Sequence, residues 1–135
     1  MTRQMTAGAP GGLTFLRTAT ALQTLTLLFQ TVTAGILLTS SHGYPMHDAG
    51  SKVMYAAAML YVLAAILAWR PGGGSPRPVL YATGFLLLAS AQVALGVAHM
   101  PSFHVPLGVV MFALSTLALV RTLSPRLPQH PAAKP

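Results

Sequence analysis

Apolar residues fall along this chain in four long blocks, covering residues 18–39, 51–69, 78–98 and 103–120. None shows the one-sided stripe of a helix on a soluble protein's surface. A helix that crosses a bilayer needs about 20 predominantly apolar residues, somewhat fewer where the bilayer thins, and each block meets that requirement. Between them lie SSHGYPMHDAG, RPGGGSPRP and the very short HMPS, all rich in turn-forming residues. Connectors this short make successive helices antiparallel neighbours. The expected fold is therefore all-α, an integral membrane four-helix bundle running up-down-up-down over residues 13–123. The flanking segments 1–12 and 124–135, rich in Gly, Pro and Ala, are expected to be disordered tails.

Composition removes the soluble alternative. Of 135 residues, 53% are hydrophobic and 7% charged, whereas a soluble domain carries charge on roughly a quarter of its residues. Asp48 is the single acid. The net charge of +7 does not read as a nucleic-acid patch, because the basic residues are scattered between apolar runs and suit anionic lipid better. With no cysteine, disulfides, thiolate metal sites and thiol catalysis are excluded. The first apolar block is too long for a signal-peptide core, and no cleavage site is expected.

Orientation follows from Lys and Arg. Arg3, Arg17, Arg70, Arg77, Arg121, Arg126 and Lys134 fall on one side, and only Lys52, offset by Asp48, on the other. Both termini and the RPGGGSPRP loop are thus expected in the cytoplasm, with the protein a multi-pass component of the plasma membrane. Trp69 would then sit at the inner interface and Tyr44 and Phe103 at the outer one. Ala64 with Ala68, and Ser90, Ala94 and Ala98, are small residues at four-residue spacing, expected to let helices approach within the bundle.

The histidines change the picture. His42, His47, His99 and His104 all fall at the outer ends of the helices, and only His130 lies in the cytoplasmic tail. They repeat with an offset of 57 residues, His42 to His99 and His47 to His104, and Met54 and Met111 keep that offset. Each Met lies seven residues beyond a histidine and on its helix face. Gly50 follows His47, Gly108 follows His104, and the preceding helices carry Gln30 with Gly35 and Gln92 with Gly96. This reads as two copies of a helix pair.

His47 and His104 are expected in the first turns of the second and fourth helices, where Pro45 and Pro106 are tolerated. A helix N-terminus disfavours imidazolium, and neutral imidazole is the form that binds metal. The second and fourth helices are parallel, so their outer ends share one depth. A planar ligand between them could take one imidazole on each face, with Gly50 and Gly108 leaving room for it. That arrangement suits one heme b held by two histidines, its propionates directed toward Lys52 and the helix N-termini. Gln30 and Gln92 should face the interior, bonding each other, the backbone or the cofactor edge.

A helix carrying Gln and then Gly, followed by a helix opening on histidine, resembles half of a heme A synthase. The stretches that carry the likeness are QTVTAGILLTSSHGYPMHDAG and QVALGVAHMPSFHVPLG, within residues 15–120. In that family each four-helix half has histidines near the starts of its second and fourth helices that can ligate one heme, which implies His47 and His104 here. This chain matches one half only. Where the catalytic half of the family carries a glutamate just before a histidine, this sequence has Ser40, Ser41, Gly43 and Tyr44, and Asp48 follows His47 instead. The resemblance therefore implies heme binding without heme A synthesis. Small four-helix membrane proteins of unknown function share the same His-and-Gln layout.

Other readings stay open. The histidines could be interfacial residues of a cofactor-free accessory subunit, part of a larger membrane complex. The outer loops combine His42, His47, His99 and His104 with Met46 and Met100, a soft set that suits copper. Transport has no deep charged carrier to rely on. Ser40, Ser41, Ser51 and Asp48 near a helix start are caps rather than hydrolytic groups.

Overall fold

The computed structural model describes residues 10–70 and 73–124, so Arg3, Arg126, His130 and Lys134 lie outside the described residues. Four helices follow one another: α1 Pro10–Thr39, α2 Tyr44–Trp69, α3 Arg77–Val97 and α4 Pro101–Leu123. Each is long and apolar enough to cross a membrane, and no strand occurs among the described residues. The chain is an all-α four-helix membrane bundle. α1 begins at Pro10, so 10–12 are helical and do not belong to a disordered tail. Proline is well suited to a helix start because the amide it lacks has no helical partner there.

α1 packs on α2 and α4, and α3 packs on the same two helices. Among the described residues, no Cα of α2 comes within 8 Å of one in α4, nor of α1 in α3. These are the two diagonals, and the middle of the bundle belongs to side chains. One buried cluster joins Leu16, Ala19, Tyr61, Ala64, Ala65 and Ala82. A second joins Leu27, Met54, Ala58, Phe85, Ala89 and Met111. Alanine dominates the first, as expected where lipid supplies no hydrophobic drive and helices associate by close packing. Leu25, Leu38, Leu80, Leu87 and Val97 face outward, where their solvent is lipid.

The expected small-residue contacts divide. Ala64 is fully buried and Ala68 packs against its cluster. Ser90, Ala94 and Ala98 instead lie on the exposed face of α3; Ser90 bonds the Tyr55 hydroxyl at 3.0 Å, while Ala82 and Ala89 take the interior. Four-residue spacing marks a face without saying which way it points.

The connections are tight. Ser40 caps a single 3-10 turn at Ser41–Gly43 by accepting from the His42 amide. A side chain at Gly43 would lie 2.7 Å from the Leu37 amide nitrogen, so only glycine lets the chain fold back on α1. At the other corner His99 has φ 53°. Its amide bonds Gly96 O at 3.1 Å and the Met100 amide bonds Leu95 O at 3.0 Å, the paired bonds of a helix end at the left-handed position usually given to glycine. At the opposite end Arg17 donates to Thr122 O at 3.0 Å, so a cation meets the carbonyl end of α4. Trp69 lies at this same end with Arg70 stacked 4.8 Å over its ring.

Candidate functional site

His47 and His104 are each the fourth residue of their helix, α2 and α4. The helix starts are set by Pro45 at the second position of α2 and by Pro101 at the first of α4. Pro106 is not in that first turn. It lies inside α4, where it leaves Ser102 O without its usual amide partner.

The two rings come from the diagonally opposite helices α2 and α4 and meet between them, centroids 6.0 Å apart and planes at 69°. Each is anchored at Nδ1. His104 Nδ1 lies 2.9 Å from Gln92 O, and a carbonyl can only accept, so Nδ1 carries the proton and Nε2 the lone pair. His47 Nδ1 lies 3.0 Å from Thr33 Oγ1. That hydroxyl's one proton is directed to Phe29 O or Gln30 O, both at 3.1 Å. With the proton so directed, its oxygen accepts from His47 Nδ1–H, the tautomer in which Nε2 keeps its lone pair. Fixing one ring nitrogen with an acceptor is how metal-binding histidines are oriented and their tautomer set. Both rings thus fit the role of a nitrogen ligand.

The glutamines clip the histidine helices in place. Gln92 Nε2 donates to His104 O at 2.9 Å. Gln30, its amide oriented to satisfy both neighbours, donates to His47 O at 3.3 Å and accepts from the Ser51 amide at 3.0 Å. Of the partners open to these residues, the backbone is the one they take. The glycines explain how. A side chain at Gly50 would collide with the Gln30 carboxamide and come within 2.7 Å of the Phe29 ring. One at Gly108 would lie 3.0 Å from Gln92 Nε2. The space beside both glycines, expected to admit a planar ligand, is filled by glutamine. Gly96 serves the site directly, since a side chain there would reach 3.2 Å from His104 Cε1; Gly35 borders open space.

Met54 and Met111, 3% and 0% exposed, meet in one buried cluster with Leu27 and Phe85 two turns beyond the histidines. They close the site toward the bundle centre. Lys52 lies on an exposed face, paired with Asp48 at 2.8 Å. His42 is exposed and bonded to Ser40 Oγ at 3.0 Å, while His99 and Met100 are exposed at the α3–α4 corner and Met46 on α2. Among the described residues no three His, Asp or Glu side chains converge as a metal site would require.

Two buried polar residues escaped sequence reasoning, and only the first belongs to the site. Thr33 fixes His47, signalled only by its place one turn after Gln30. Gln23, in α1 and 1% exposed, is buried with both amide atoms unpartnered. It lies outside the Gln-Gly-His pattern. Set beside known proteins, the chain matches no family model, no curated protein and no solved structure.

Proposed function

We propose that this protein binds one heme b through His47 and His104, for electron transfer or heme handling at the outer side of the membrane. The observation that carries the reading is the pair itself, two imidazoles anchored at Nδ1 with free Nε2 lone pairs and centroids 6.0 Å apart. Two histidines alone do not complete a protein-only metal site, but they are the full axial set for a macrocycle that brings four nitrogens of its own. Bound there, heme would supply reversible one-electron transfer at a potential set by its axial ligands and burial.

The rest falls to the chain. Thr33 and the Gln92 carbonyl orient the rings, Gln30 and Gln92 hold the histidine carbonyls, and Met54 and Met111 exclude water from below. With the basic residues on the cytoplasmic side, as the positive-inside rule has it, the His end would face outward, and a membrane redox partner would approach there. Copper at the loops has less support, since His42, His99, Met46 and Met100 stay apart from the His pair.

The absorption spectrum of the detergent-purified protein, expressed with heme supplied, is the test. Wild type is expected to hold six-coordinate low-spin iron with narrow visible bands on reduction. His47→Ala or His104→Ala should open one axial position to carbon monoxide, and the double variant should lose heme. His42→Ala and His99→Ala should change little. A colourless wild type sinks the proposal, and unchanged spectra in the first two variants would reassign the ligands. Orientation is tested separately. In this cysteine-free chain, Ser102→Cys should react with a membrane-impermeant thiol reagent in intact cells while Ser75→Cys resists it; the reverse pattern inverts the topology.

A further inference from the structure

Near the middle of α1, between the two apolar clusters, lies a polar layer that the histidine site does not use. Gln23 is 1% exposed, and neither Nε2 nor Oε1 has a partner in the protein. Thr20 and Thr24 flank it on α1, and their hydroxyls link to neighbouring helices. Thr20 and Ser115 are 0% and 2% exposed. Thr24 Oγ1 lies 2.8 Å from Ser115 Oγ, which ties α1 to α4, and the buried Tyr61 of α2 interacts with Thr20. Thr20 and Thr24 donate to Leu16 O at 2.7 Å and Thr20 O at 3.0 Å along their own helix. Their oxygens keep acceptor capacity, and their protons are not available to Gln23.

A carboxamide sealed in a bilayer with donor and acceptor both unmet carries the full cost of desolvation. No hydroxyl lies within hydrogen-bond reach of either amide atom, so Gln23 still lacks an acceptor for Nε2 and a donor for Oε1. The smallest group that offers both is water. Buried waters occur where two to four polar partners converge. We propose that the bundle holds an ordered water site at mid-depth, anchored by the Gln23 carboxamide and bordered by Thr20, Thr24 and Ser115. Leu27, Met54 and Met111 separate it from the His pair. The interior thus carries two polar levels divided by an apolar plug, and the lower one is hydrated whether or not a cofactor occupies the upper.

Radiolytic hydroxyl-radical labelling of the purified, cofactor-free protein reads this directly, since radicals formed from internal water mark adjacent side chains. Tyr61, 4% exposed, should be labelled in wild type, with the exposed Tyr44 as control. In Gln23→Met, Tyr61 labelling should fall to background while Tyr44 is unchanged, and the melting temperature in detergent should drop because water loses its anchor. Three results would each overturn the proposal: no Tyr61 labelling in wild type, equal labelling in Gln23→Met, or a Gln23→Met variant that melts higher, as removal of a dry, unpartnered amide requires. If Gln23→Met does not accumulate, the wild-type measurement decides alone.

Discussion

In the first helix pair His47 is held by a side chain, the Thr33 hydroxyl; in the second His104 is held by a backbone carbonyl, that of Gln92. The glutamines differ in the same sense. Gln30 satisfies both ends of its amide on His47 O and the Ser51 amide. Gln92 meets His104 O through Nε2 and leaves a buried Oε1 without a partner. Crowding follows suit, since Gly50 is pressed by both Gln30 and Phe29, whereas Gly108 faces Gln92 alone. The pattern of Gln, Gly and His is thus kept by both pairs while the atoms that do the holding change. What is repeated is the position of the ring. The first pair reaches it through close packing and side-chain bonds, the second through its backbone and a looser fit.

The glycines should separate the two pairs most sharply. A methyl at Gly50 must displace a carboxamide bonded at both ends, and overpacking of that kind costs about 1–3 kcal/mol. Gly50→Ala should therefore melt well below wild type. Gly108→Ala pushes only one atom of one side chain and gains roughly 1 kcal/mol of helix propensity, so its melting temperature should stay near wild type or rise. Equal losses at both positions would show the crowding to be symmetric.

The glutamines come next. Gln30→Leu removes two hydrogen bonds that reinforce α2 at His47 O and the Ser51 amide, a cost of about 1–3 kcal/mol. Gln92→Leu removes one such bond, to His104 O, together with an already unpartnered oxygen, so thermal unfolding should show the smaller loss. Should Gln92→Leu prove the more damaging, its free oxygen must have a partner that binds from outside the chain.

Thr33→Val probes the histidine anchors. It removes the acceptor for His47 Nδ1–H in a nearly isosteric way, at about 1 kcal/mol. The imidazole NMR signals of His47 should broaden while those of His104 stay sharp. The smallest effect lies at the corner of the second pair. His99 occupies the left-handed region at φ 53°, and His99→Gly should stabilise by roughly 0.5–1 kcal/mol with the His47–His104 pair intact. A loss there would mean that the imidazole contributes something beyond its backbone position.

How much of the site was legible depended on what each residue needs. His47 and His104 announced themselves through a shared offset and a shared place at a helix start, and the structure brings their rings together edge to face. Gln30 and Gln92 were visible as polar residues in apolar spans, but an amide has several possible partners and only the packed neighbours decide among them. The glycines were conspicuous for lacking a side chain, yet a sequence cannot tell what fills the space they leave. Lys52 looked available because it is charged and near; the helix turned it outward to Asp48.

The four membrane crossings, their alternation and the positions of the histidines were determined by the sequence alone, because hydrophobic length and loop length are local quantities that lipid reads directly. Which faces pack inward was not. Ala94 and Ala98 on α3 look outward while Ala82 and Ala89 are buried, since in a chain apolar on every side no polar face marks the inside. Only the tertiary structure could bring Thr33 to His47, Gln92 to His104 and Ser115 to Thr24. Each bond joins residues on different helices, and its existence depends on how neighbouring helices are rotated about their own axes.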